Sequence, residues 1–132
     1  MKEIDKLAWL CVRDGKLLCA RSKGKSLFYV PGGKREAAED DQAALIREIK
    51  EELSVDLLTD SLHYQATFRA PADGKPDALV KLSCYSGEYQ GELCAASEIE
   101  ELRWVGYPER ELTSLATIAV LEWLHSQALL EL

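Results

Sequence analysis

A chain of 132 residues carries a formal net charge of -7, with 47% hydrophobic and 30% charged residues. This length suits one domain burying roughly two thirds of its unfolded surface, and the balance excludes a disordered chain. The acidity argues against a polymeric nucleic acid partner, which needs Lys and Arg to displace phosphate counterions, but an anionic small molecule can bind where cations stand between it and carboxylates.

The opening MKEIDK lacks the apolar run of a signal peptide, and no stretch reaches the ~18 apolar residues of a membrane span, so a cytoplasmic protein without membrane contact is expected. Leu7–Val12 and Leu17–Ser22 read as two antiparallel strands joined at Asp14-Gly15, a pair that tolerates positive φ at both turn positions. Leu27–Val30 reads as a third strand, stopped by Pro31-Gly32-Gly33. Asp40 to Leu53 is helical, with two acids at its positive end and Leu45, Ile46, Ile49 and Leu53 on one apolar stripe.

Leu62–Ala70 and Ala78–Tyr89 read as strands around a loop at Pro71–Asp77, and Glu101–Val105 as another. Ser114–Leu130 is expected to be a helix with Ser114 as N-cap and a stripe of Leu115, Ile118, Leu121, Leu124 and Leu129. Cys11, Cys19, Cys84 and Cys94 have no C-x-x-C spacing and read as reduced core residues; Trp9, Trp104 and Trp123 likewise read as core. His63 and His125 have no Ser or Cys partner at a recognisable elbow and do not suggest a nucleophilic triad. No repeat or linker interrupts the chain, so residues 1–132 form one α+β domain.

Glu48, Glu51 and Glu52 are three and four positions apart, which at about 100° per residue projects them from one arc of the helix. Converging like charges are unfavourable unless a cation offsets them. Carboxylate clusters suit Mg²⁺ or Mn²⁺, hard ions that commonly bridge a protein to phosphates. Gly32 in the preceding turn can offer a carbonyl oxygen without side-chain obstruction.

The same stretch resembles the signature of the Nudix hydrolases: Gly33, Glu39 after five residues, Arg47-Glu48 after seven, then Ile49, Glu51, Glu52, Leu53 and Val55. Ser54 alone departs, standing where the family has a helix-ending Gly, and is expected to shift the following loop more than the metal site. FYVPGGK before the motif and ASEIEELRWV after it also resemble the family.

The resemblance implies an α/β/α sandwich around a mixed sheet, and water attack on phosphorus in a diphosphate linkage of a nucleoside diphosphate-linked metabolite or nucleoside triphosphate. Bound Mg²⁺ or Mn²⁺ would neutralise phosphate oxygens and acidify a water. By the same resemblance Glu51 and Glu52 are the main metal ligands and Glu48 a third ligand or the base. The later acids Glu98, Glu100 and Glu101 offer another base, with Glu98 preferred as an added ligand and Gly32 contributing its carbonyl. Arg47 would hold Glu48, while Gly33 and Glu39 support the loop.

Arg21, Phe28 and Arg69 are candidate substrate contacts, with Tyr29 and Phe68 as further stacking surfaces. Pro71, sixteen residues after Val55, resembles a marker of the ADP-ribose-cleaving members. The expected partner is a small nucleotide or nucleotide-linked molecule, and a homodimer is compatible with this reading. The alternative is a non-catalytic nucleotide-binding or sensor module on the same fold.

Overall fold

The computed structural model describes residues 2–130. In chain order the strands are β1 (Lys2–Leu10), β2 (Val12–Arg13), β3 (Lys16–Ser22), β4 (Gly32–Gly33), β5 (Asp56–Leu57), β6 (His63–Ala72), β7 (Lys75–Ser86), β8 (Tyr89–Gln90) and β9 (Ile99–Val105). There are two α-helices, α1 (Asp41–Leu53) and α2 (Leu115–Ser126), and two 3-10 turns, at Thr59–Ser61 between β5 and β6 and at Tyr107–Leu112 between β9 and α2. A four-stranded sheet runs β4-β1-β7-β6, a three-stranded sheet β2-β3-β9, and β5 pairs with β8. Because β1 is parallel to β7 while its other pairings are antiparallel, the larger sheet is mixed.

The period of two along β1 sends successive side chains to opposite layers. Leu7 and Trp9 are buried with Leu45, Ile49 and Leu53 of α1, whereas Ala8 and Leu10 are buried with Val120, Leu121 and Leu124 of α2. The sheets therefore lie between the helices as an α/β/α sandwich. Ile49 has no exposed surface. Its truncation to Ala would cost roughly 2–5 kcal/mol, the usual range for emptying a packed site.

Several elements depart from the sequence reading. Residues 27–30 make only isolated bridges, Ala20 with Tyr29 and Phe28 with Thr113, because Pro31 cuts the segment short before a ladder develops. The expected loop at 71–77 contracts to a turn at Asp73-Gly74, with β6 running to Ala72 and β7 starting at Lys75. Pro71 is accommodated because β6 is an edge strand and its register shifts between Pro71 and Ala72. The helix expected to reach Leu130 stops at Ser126, and its inward face is Ala116, Thr117, Val120, Leu121 and Leu124; Leu115 and Leu129 are exposed.

The hairpin at Asp14-Gly15 has positive φ at both residues, as its sequence demands. Cys11, Cys19 and Cys84 are buried and Cys94 is exposed, all as free thiols. Trp9 is fully buried, while Trp104 and Trp123 pack at the margins of the core. Among the described residues no helix is long and apolar enough to cross a membrane.

Candidate functional site

Helix α1 begins with Asp40, whose Oδ1 accepts from the Ala43 amide at 2.8 Å, and it directs its apolar stripe into the core. Glu52 lies three residues after Ile49 and so shares that buried face, with 4% of its surface exposed. Glu48 is half-buried, and Glu51 points to solvent. The expected convergence is therefore partial: the arc of three glutamates runs from the core edge outward. Among the described residues, no three His, Cys, Asp or Glu side chains are close enough to chelate an ion as they stand.

Arg47 organises the entrance of the helix. Its Nε and Nη2 donate to the two oxygens of Glu39 at 2.7 and 2.9 Å, a two-pronged grip that only a guanidinium provides. Nη2 also donates to the Lys34 carbonyl at 3.0 Å, and Nη1 to Glu48 Oε1 at 2.8 Å and Glu51 Oε1 at 3.3 Å. Glu39 in turn accepts from the Glu36 amide at 2.7 Å. These bonds, above all those from Arg47, hold the Glu39 carboxyl down at about 2. Loop and helix are thereby locked together.

Pairing of β4 with β1 brings Gly32 opposite Ala8 and Gly33 opposite Leu7. Gly32 has φ of 152°, and a Cβ there would lie 1.9 Å from the Leu7 carbonyl oxygen; a Cβ on Gly33 would lie 2.1 Å from Glu48 Oε2. Gly32 excludes a side chain because its neighbour is fixed backbone, whereas one at Gly33 would displace the Glu48 carboxyl. The Gly32 amide donates to Glu52 Oε1 at 3.3 Å. Burial, then the charge of Glu48, pushes the Glu52 carboxyl up to about 8, with Glu98 acting in the same direction. Burial also raises the Glu48 carboxyl, against the opposing pull of Arg47.

Glu98 arrives by a tertiary route. At the end of α1, the Glu52 and Leu53 carbonyls lack helical donors and accept instead from Ala96 at 2.9 Å and Cys94 at 3.0 Å. The loop carrying Glu98 is thus sewn to the backbone of the helix that carries the motif glutamates. Ser97 Oγ donates to Glu98 Oε2 at 2.7 Å, the main reason its carboxyl sits below the usual range. Ser54 caps the helix in the left-handed conformation, φ 67°, and its amide donates to the Lys50 carbonyl at 3.1 Å. The helix exit expected to change at Ser54 retains a left-handed cap despite the Cβ.

Glu48, Glu52, Glu98, Gly32 and Gly33 border one cavity of about 420 Å³, a volume suited to a small ligand. Lys6, Lys25, Lys34 and Lys75 also border it, and Tyr29, Val30, Val80 and Leu82 form apolar wall. Pro71 also lines it. A wider open groove of about 1480 Å³ lies elsewhere, bordered by Cys11, Arg13, His63, Tyr89 and Trp123, and none of the motif carboxylates reaches it.

Other anticipated contacts sit apart from the cavity. Arg21 bonds the Lys25 carbonyl at 3.0 Å and Glu101 at 3.3 Å, and lies over the Phe28 ring. Phe28 itself is core, since its ring packs in the cluster under α2. Arg69 pairs with Glu3 at 3.0 Å, and Phe68 packs edge-on against Trp123. Of the later acids only Glu98 lines the cavity; Glu100 and Glu101 are both exposed on β9. Sequence reasoning missed all four lysines. Only Lys6 carried a local signal, as a charge within the alternating strand Ile4-x-Lys6-x-Ala8-x-Leu10.

The NUDIX domain model matches residues 5–124. A CTP pyrophosphohydrolase of Escherichia coli (strain K12) is 32% identical over 117 residues, covering 85% of this chain and 82% of the relative. The solution structure of the E. coli ORF135 protein superposes with a TM-score of 0.75 at 29% identity, covering 97% of this chain and 92% of that one. A MutT NUDIX hydrolase from Burkholderia pseudomallei has the same fold, with a TM-score of 0.75 at 22% identity over 92% of this chain and 98% of that one. With the motif, the sandwich and these matches in agreement, the chain belongs to the Nudix family, as a pyrophosphohydrolase-type enzyme.

Proposed function

We propose that the enzyme hydrolyses a nucleoside triphosphate with the help of Mg²⁺ or Mn²⁺, releasing pyrophosphate and a nucleoside monophosphate. One observation carries this reading: a single cavity sets Glu48, Glu52 and Glu98 beside four lysines and an apolar wall. Once a cation takes up the carboxylates, four lysines supply donors enough for three phosphates, and the CTP pyrophosphohydrolase relative supports the same class.

The residues suit a hard divalent cation. Glu52 is a buried carboxylate with one weak backbone donor and two acidic neighbours, so its charged form needs a positive partner. Glu48, Glu52 and Glu98, with the Gly32 carbonyl, would hold the ion; Glu51 could join them after releasing Arg47. When bound, the cation supplies charge neutralisation at the phosphates and acidification of a water. Arg47 holds Glu48 in place, the lysines orient the phosphate chain, and Glu48 or Glu98 takes the proton from the attacking water. The water oxygen bonds to the α-phosphorus as the α–β anhydride breaks, and pyrophosphate departs.

The test is product analysis after incubation of nucleoside triphosphates, nucleotide sugars and ADP-ribose with Mg²⁺ or Mn²⁺. Pyrophosphate and monophosphate from a triphosphate, lost in Glu52→Gln, support the reading. Turnover of the diphosphates alone overturns it. Comparing the pH dependence of kcat in Glu48→Gln and Glu98→Gln identifies the proton acceptor.

A further inference from the structure

Between Ile4 and Leu10, Lys6 interrupts a face of β1 that is otherwise committed to the core. Ile4, Ala8 and Leu10 are buried in the cluster under α2, and so are Val80, Leu82 and Cys84 across the parallel register. Lys6 pairs with Leu82 and, by alternation, belongs to this row. Its side chain lines the cavity. Burial, then Lys34 and Lys75, depresses the ammonium's pKa.

Among the described residues Lys6 makes neither an ion pair nor a side-chain hydrogen bond, although Glu48 and Glu52 border the same space. An ammonium in such a place is unfavourable without an acceptor. A cation held by Glu48 and Glu52 would engage those carboxylates, leaving the substrate to supply the acceptor. Lys25, Lys34 and Lys75 remain for the phosphates. Along the sheet Lys6 is flanked by Ile4 and Ala8 of β1 and by Val80 and Leu82 of β7, an apolar row on which the flat face of a nucleobase can lie, while the charged residues border the other side of the cavity.

We propose that Lys6 is a specificity-determining residue whose ammonium donates to a carbonyl oxygen on the nucleobase. It selects bases that carry such an oxygen, cytosine, uracil or guanine and their oxidised forms, over adenine, which has none. The inference rests on the triphosphate reading above and adds the base class to it.

The test compares wild type, Lys6→Met and Lys6→Arg with CTP, UTP, GTP, ATP and inorganic tripolyphosphate as substrates, and by calorimetry with CMP and AMP as ligands. A lost hydrogen bond to a charged donor corresponds to a fall of about 10- to 100-fold in kcat/KM for the preferred triphosphate, chiefly through KM. ATP should change less than about threefold by the same logic, and CMP binding should weaken while AMP binding does not. Lys6→Arg keeps a donor and should retain the carbonyl preference, and it serves as the working variant if Lys6→Met does not fold.

Equal losses for ATP and tripolyphosphate would assign Lys6 to the phosphates and overturn the proposal. Indifference of every base to Lys6→Met would do the same, as would equal affinity of the wild type for CMP and AMP or failure to bind either. If no triphosphate is cleaved by the wild type, the functional reading fails by itself, and monophosphate binding still decides the role of Lys6.

Discussion

The loop that leads into α1 and the cavity beside that helix both gather charge, and they treat it oppositely. In the loop nearly every charge is matched. Arg47 grips Glu39 and Glu48, while Arg35 bonds Asp5 at 2.8 Å and Asp41 at 2.6 Å, and the Tyr85 hydroxyl donates to Asp41 at 2.6 Å. In the cavity Glu52 has one 3.3 Å backbone donor, and Lys6 has no side-chain partner among the described residues. Partly exposed pairs contribute little one at a time, but several sharing one guanidinium fix a conformation. A buried unpaired charge is unfavourable until a ligand completes it. The paired region holds the shape, and the unpaired region stores an affinity for what binds there.

Substitution at the unpaired end should have the largest effect on activity and an opposite effect on the metal-free fold. Glu52→Gln keeps an acceptor for the Gly32 amide and removes the buried ionisable group. Its kcat should fall by about three orders of magnitude, the equivalent of ~4 kcal/mol at the transition state. In EDTA, however, its Tm should exceed that of the wild type by a few degrees. A metal-free Tm below wild type would show that Glu52 is paired after all.

At the paired end both effects should share one sign. Arg47→Lys retains the charge but cannot span both Glu39 oxygens while also reaching the Lys34 carbonyl and Glu48. Activity or metal affinity should drop by about 10- to 100-fold, the usual result of loosening a ligand's support, with Tm lowered with or without metal. Metal titrations followed by kcat separate the two contributions. An unchanged Tm would break the contrast between the two regions.

How far this contrast could be read from the sequence differs by residue. Asp40 as cap, Leu45, Ile49 and Leu53 as stripe, and Gly33 through Val55 as motif are local patterns, and the helix begins and ends within a residue of its expected limits. The divergence of Glu51 from Glu52 depends on which side of the arc faces the core. Glu52, seven residues after Leu45 and three after Ile49, lies on the stripe, yet three adjacent glutamates invite treatment as one group. The lysines at 6, 25, 34 and 75 converge only through the parallel pairing of β1 with β7, the 71–77 turn and the entry into α1, which no local pattern encodes. Phe28 and Arg69 misled because an aromatic or a cation in a strand carries no label for the layer it will face.

The unpaired region also predicts how pH and metal should interact. The Glu52 carboxyl sits at about 8 in the fold, against 4.5 for an unperturbed glutamate, so the folded state holds this proton more tightly than the unfolded chain. A raised acid is the reverse of the usual carboxylate case. Its contribution to metal-free stability is full below about pH 4.5 and is lost as pH climbs through about 8. A divalent ion takes the place of that proton. The Tm gain from millimolar Mg²⁺ should therefore grow between about pH 6 and about pH 8.5, and scanning calorimetry across that range measures it. A gain that shrinks with pH would place the ion away from Glu52.

The smallest expected effect lies at the junction of the two regions. Ser54 holds φ at 67°, where a non-glycine residue is disfavoured by about 1–2 kcal/mol, and its Oγ donates to the Cys94 carbonyl at 3.4 Å in the loop that leads to Glu98. Ser54→Gly removes the strain but adds about 0.5–1 kcal/mol of unfolded-state entropy and loses a long, weak hydrogen bond. The net should be a gain of about 0.5 kcal/mol, or ~2 °C in Tm. Ser54→Ala keeps the strain and loses the bond, so it should fall slightly below wild type. Because Cys94 and Ala96 also bond the helix end through their own amides at 3.0 and 2.9 Å, Glu98 stays tethered in both variants, and kcat should move less than about twofold. A larger drop in either would mean that the serine hydroxyl, rather than the backbone amides, carries Glu98 to the cavity.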